Sequence, residues 1–131
     1  MSARDLAKIG VLVANMGVWK GEELISKEWI RRSTIPRHTF SQDQYRWPMD
    51  SYGYLWHLDT EKGNIWGSGY GGQYVMIDTT NRLALVQRHN TGNSWLSQAL
   101  YLRKSTQSSQ ADLMQIWYGL TRNLPNLAKS K

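Results

Sequence analysis

The stretch Asn64-Ile65-Trp66-Gly67-Ser68-Gly69-Tyr70-Gly71-Gly72-Gln73-Tyr74-Val75-Met76-Ile77-Asp78 decides the reading of this 131-residue chain. Residues 64–68 and 74–78 hold the aromatic and branched side chains that favour strands, so both runs are predicted as strands. Between them, Gly69, Gly71 and Gly72 predict a hairpin connection. Glycine carries no β-carbon, so the same cluster lets a second molecule approach bare main-chain N–H groups. A tight turn with a bulge and a substrate-facing loop both fit this spacing.

Outward from that stretch, Tyr52, Tyr54, Trp56 and Leu58 alternate with Gly53, Leu55 and His57, which reads as one strand. Residues 59–63 form a polar turn, residues 79–82 another, and residues 83–89 a further strand. Strands in such quick succession predict an antiparallel sheet of three to four strands. Upstream, Ser2 and Asp5 resemble a capping box, and Leu6, Ile9, Leu12, Val13 and Met16 recur at helical spacing, with Gly17 as the C′ residue. Residues 19–24 read as a tight turn around Gly21, after which Ser26 can cap a helix over 27–32 that stops before Pro36. Residues 36–51 show no period and read as loop. Downstream, Ser108 or Ser109 can cap a helix striped by Leu113, Ile116, Trp117, Leu120 and Leu124 that ends before Pro125, and residues 94–102 can form a short helix.

This is an α+β pattern in a single partial domain over residues 1–131: helical over 1–35, loop over 36–51, antiparallel sheet over 52–90 and a helical tail over 91–125. The helices gather on one face of the sheet. Few apolar elements remain for the other, so that face is expected to lack cover.

The sequence holds 16 Lys and Arg against 10 Asp and Glu, and the excess lies outside the sheet region. Arg31-Arg32, Arg103-Lys104 and Lys129/Lys131 are scattered pairs, which favours a solvated basic surface over a nucleic-acid footprint. The absence of cysteine excludes disulfides, thiolate metal sites and a cysteine nucleophile. No apolar run approaches the roughly 18 residues of a membrane span, and Arg4, Asp5 and Lys8 interrupt any signal-peptide core at the start. The compartment stays open. His38, His57 and His89 have no metal-ligand spacing, and Asp59 and Glu61 fall in a turn, so neither a metal nor any other cofactor is expected.

Three segments resemble one family, the beta-lactamase-related serine hydrolases, which include class C beta-lactamases, D-Ala-D-Ala peptidases, esterases and amide hydrolases. Met1-Ser2-Ala3-Arg4-Asp5-Leu6-Ala7-Lys8-Ile9-Gly10, with Gly17-Val18-Trp19-Lys20-Gly21 and Leu24-Ile25-Ser26-Lys27-Glu28-Trp29, is similar to a helix-turn-helix stretch of that family. Tyr52-Gly53-Tyr54-Leu55-Trp56 resembles the strand before its third active-site motif, and residues 67–73 resemble the loop and strand that contain the motif. The resemblance implies part of a beta-lactamase/transpeptidase-like fold and acyl-enzyme chemistry on an ester, amide or peptide substrate. It puts the third motif on Tyr70-Gly71-Gly72: Tyr70 lines the acyl site with Gly71, Gly72 lets the strand approach the substrate, and the Gln73 backbone N–H is one oxyanion donor. The family's Ser-x-x-Lys nucleophile and second-motif Tyr have no counterpart here. The chain thus resembles the C-terminal portion of such an enzyme, expected to be inactive alone and to pair with the N-terminal part of the same fold. Tyr70 offers a neutral hydroxyl where the family has a cationic Lys, which favours an esterase or amidase over a beta-lactamase.

A binding module is the alternative. Seven Trp and seven Tyr against one Phe suit stacking surfaces, and Tyr52, Tyr54, Trp56, Trp66 and Tyr74 on one sheet face beside basic groups would stack on carbohydrate or nucleic-acid bases.

Overall fold

A computed structural model describes residues 1–41, 49–89 and 108–127, and side chains within these except for 108–111 and 125–127. Chain order is α1 (Ala3–Ala14), β1 (Val18–Trp19), β2 (Glu22–Glu23), α2 (Lys27–Ser33), β3 (His38–Thr39), β4 (Ser51–Tyr52), β5 (His57–Asp59), β6 (Asn64–Gly69), β7 (Gln73–Asp78), β8 (Leu83–Gln87) and α3 (Ser108–Leu127). β1 and β2 form a hairpin, and β3 to β8 form one antiparallel sheet in sequential order. The class is α+β, with six strands in the main sheet rather than three to four. Two compact units divide the chain: Met1–Ser68 with Tyr74–Val86, and Gly69–Gln73 with Gln87–Lys131. The helix expected over 94–102 lies outside the described residues.

The start of α1 follows from Ser2 and Asp5. Ser2 Oγ accepts the Asp5 N–H at 3.1 Å while the Asp5 carboxylate accepts the Ser2 N–H at 3.2 Å, closing the capping box. The end of α1 departs from expectation by one residue. Met16 N–H bonds Val13 C=O at 2.9 Å and Gly17 N–H bonds Leu12 C=O at 2.8 Å, a Schellman motif with Met16 at C′ (φ 55°) and Gly17 at C″ (φ 89°). Glycine is required at 17 for another reason: a β-carbon there would overlap the Ile25 carbonyl oxygen. The Gly17 carbonyl in turn accepts the N–H groups of Leu24 and Ile25. Between these partners Lys20 (φ 51°) and Gly21 (φ 88°) make the two-residue turn of the β1–β2 hairpin. Ser26 caps α2 through the Trp29 N–H at 3.2 Å.

Two corrections concern residues 36–58. The stretch 36–51 is not loop throughout, because His38 pairs with Tyr52 and Thr39 with Ser51. Residues 52–58 are not one strand but a hairpin, with Ser51 opposite Leu58 and Tyr52 opposite His57. Tertiary contacts overrule the period-two pattern here. Tyr54 N–H bonds Ser33 C=O at the end of α2 at 2.9 Å, Gly53 N–H bonds Trp56 C=O at 2.8 Å, and Leu55 takes φ 63° at the turn. A β-carbon at Gly53 would lie 2.5 Å from the Ser33 carbonyl oxygen, so only glycine admits this approach. Asp50 locks the base of the hairpin by accepting Ser51 Oγ at 2.9 Å and both the N–H and hydroxyl of Thr60. Burial pushes the Asp50 carboxyl up, but these hydrogen bonds outweigh it and hold its pKa below the ordinary value.

The core of the first unit joins Val13 and Ala14 of α1 and Ile30 of α2 to Leu58, Ile65, Val75 and Ile77 of β5 to β7. Alternation sends Trp66, Tyr74 and Met76 to the other face, and they too are buried. The expectation of one uncovered sheet face therefore fails at the centre of β6 and β7. In the second unit, α3 runs past Pro125 to Leu127 instead of stopping before it. Of its apolar stripe, Leu113 and Trp117 are buried, whereas Ile116 and Leu120 are exposed.

Candidate functional site

Carboxylates anchor the turns on either side of the glycine hairpin. Asp59 is buried, accepts the Lys62 N–H at 3.0 Å and pairs with the Lys62 ammonium at 3.6 Å. Buried Asp78 accepts the N–H groups of Thr80 and Asn81 at 2.8 and 2.9 Å. Both act as turn anchors.

Between β6 and β7, Tyr70, Gly71 and Gly72 form the turn, and Gln73 is the first residue of β7. All four residues implied by the resemblance thus stand together. Gly71 and Gly72 both take φ 77°, left-handed backbone that fits the expected glycine turn and ends before β7 begins at Gln73. The two glycines are buried, while Tyr70 is 71% exposed. Gly69 faces Gln73 closely enough that a β-carbon at 69 would lie 3.2 Å from Gln73 Cβ.

The Gln73 side chain closes the turn. Its Nε2 donates to the carbonyls of Gly71 at 3.2 Å and His89 at 2.9 Å, and its Oε1 accepts from Arg88 Nε at 2.8 Å. Guanidinium can only donate and a carbonyl can only accept, so the amide orientation is fixed by its partners. Sequence reasoning considered the Gln73 backbone and missed its side chain and Arg88. A signal was available: counting back equally from the 79–82 turn sets Gln73 and Arg88 opposite each other.

His57 is half-buried, meets the Tyr52 ring edge-on at 4.8 Å between centroids, and has its pKa lowered by burial. No group of three His, Cys, Asp or Glu residues able to hold a metal ion exists among the described residues. The five aromatics of the expected stacking face do not share an exposed surface. Trp66 and Tyr74 are buried, Tyr52 and Trp56 are partly buried, and Tyr54 lies in the 53–56 turn, its ring tilted against Trp29 at 6.0 Å and beneath the Arg37 guanidinium at 4.9 Å. No helix among the described residues is long and apolar enough to cross a membrane. No family model matches the chain.

Proposed function

We propose that this chain is the C-terminal portion of a beta-lactamase-related serine hydrolase with a beta-lactamase/transpeptidase-like fold, and that the 70–73 turn forms one wall of its acyl site. The observation that carries this reading is order. A capped helix, a tight hairpin and a second capped helix precede an antiparallel meander whose glycine turn joins two of its strands, as the resembling segments would require. In this role Tyr70 contacts the acyl group or leaving group of an ester, amide or peptide. Gly71 and Gly72 keep the turn free of side chains, and the Gln73 N–H supplies one of two donors to the developing oxyanion. The second donor, the serine nucleophile and its lysine base belong to the N-terminal part of the same fold. Burial of Trp66 and Tyr74 disfavours the alternative of an aromatic binding module.

Fluorophosphonate labelling read by mass spectrometry tests the reading. The 131-residue chain is expected to give no serine adduct, and the polypeptide that joins it to a Ser-x-x-Lys segment is expected to give one. A stoichiometric adduct on any serine of this chain alone would overturn the division of labour.

A further inference from the structure

A Gly-Gly pair directly before Gln73 is a poor platform for its oxyanion-donating N–H, because both glycines cross between positive and negative φ at little cost. Each such flip of the Gly71–Gly72 peptide reverses its C=O and N–H directions. In a trans peptide these two groups point opposite ways, so whatever holds the Gly71 carbonyl also aims the Gly72 N–H. Preorganised donors are what such a site needs. The turn itself does not provide that stiffness. The Gln73 carboxamide does.

We propose that Gln73 and Arg88 are positioning residues of the acyl site: the Gln73 carboxamide, oriented by Arg88, holds the Gly71–Gly72 peptide in one orientation and so fixes the backbone that leads into the Gln73 N–H, the oxyanion donor of the turn. This rests on the hydrolase reading above. The device works through three coupled contacts. Nε2 spends one hydrogen on Gly71 C=O at 3.2 Å and the other on His89 C=O at 2.9 Å, bridging the turn to the segment that follows β8. Arg88 Nε, 2.8 Å from Oε1, forbids the reversed amide, which would set NH2 against guanidinium and an oxygen against two carbonyls. A flip of the glycine peptide would remove one acceptor from a half-buried amide, and a flip of the amide would lose all three contacts. Neither Gly71 nor Gly72 has a side chain to do the same work.

Gln73→Glu separates the parts of this device. The carboxylate keeps the size of the side chain and still accepts from Arg88, but it donates to neither carbonyl. Arg88→Ala leaves the amide intact and removes what orients it. The assay uses the polypeptide that carries both this chain and the nucleophile, with p-nitrophenyl acetate as substrate, kcat normalised by fluorophosphonate titration, and urea midpoints on the same samples. Both variants are expected to lower kcat roughly ten- to a hundredfold while KM changes less than about threefold, because the donors act on charge that develops only in the transition state. Arg88→Lys, which can still donate to Oε1, is expected to recover most of the loss seen in Arg88→Ala. Wild-type protein that acylates while Gln73→Glu retains its kcat per folded molecule overturns this inference alone. Wild-type protein that forms no adduct overturns the hydrolase reading and this inference with it.

Discussion

Helix α1 crosses the sheet with Gly10 set directly against Ala84: a β-carbon at position 10 would lie 2.9 Å from Ala84 Cβ and 3.1 Å from Val75 Cγ2. Two effects of Gly10→Ala oppose each other. Helix propensity gains about 1 kcal/mol, whereas forcing a methyl into a packed contact costs about 1–3 kcal/mol. The nearer neighbour is a β-carbon fixed to strand backbone and cannot swing aside, so overpacking wins. The variant is expected to lose roughly 1–2 kcal/mol in urea unfolding, and a gain in stability would contradict the close approach.

Gly17 and Gly21 have nearly the same φ, 89° and 88°, in different surroundings. A β-carbon at 21 meets nothing within 4 Å, but one at 17 overlaps the Ile25 carbonyl. Gly21→Ala therefore costs only the left-handed strain of about 1–2 kcal/mol. Gly17→Ala adds a backbone displacement and is expected to cost at least about 3 kcal/mol, among the large single-residue effects. Parallel chemical denaturation of the two variants checks the order; equal losses would refute it.

These glycines also mark how far the sequence could be read. Ser2, Asp5 and Ser26 identified both helix starts because capping is local chemistry, written within four residues. The strands around the glycine turn were legible from side-chain type and period. The 52–58 hairpin was not, because the contacts that fold it come from Ser33 and Arg37, and the pattern Tyr-Gly-Tyr-Leu-Trp carries no strong turn signal of its own. The buried second face of the sheet was likewise missed, since alternation predicts which residues share a face but not what covers it. At the candidate site, glycine composition identified the turn. The Gln73–Arg88 contact depends on pairing across a hairpin, which composition does not reveal.

Asp5 is held down to about 2 by hydrogen bonds from Ser2 and Lys8. A lowered carboxyl stabilises the folded state above its unfolded value of 3.8, and that contribution disappears as pH falls towards the folded value. The start of α1 should thus loosen between these limits, seen as faster amide exchange in its first turn. In Ser2→Ala the Asp5 carboxyl titrates nearer 3.8 by NMR. An unshifted titration would rule out the capping box as the cause.

His57 gives the opposite charge change with the same pH direction. Burial disfavours its imidazolium and lowers its pKa, so the unfolded chain binds a proton near 6.5 while the folded chain resists it. Stability from this group is complete above 6.5 and falls as pH drops through that value towards the lower folded pKa. Melting temperatures at pH 8 and pH 5 should differ more for wild-type protein than for His57→Gln. Equal differences would remove burial of the imidazole from the account.

Gly72→Ala in the polypeptide that carries the nucleophile tests the acyl-site assignment most directly, because turnover and stability are read on one variant. The φ of 77° makes some stability loss certain, on the order of 1 kcal/mol. If the turn is the wall of an acyl site, kcat/KM per folded molecule also falls ten- to a thousandfold, on the order expected when an oxyanion donor is disturbed. A destabilised enzyme that keeps its wild-type kcat/KM would contradict the assignment of Tyr70, Gly71, Gly72 and Gln73 to the site.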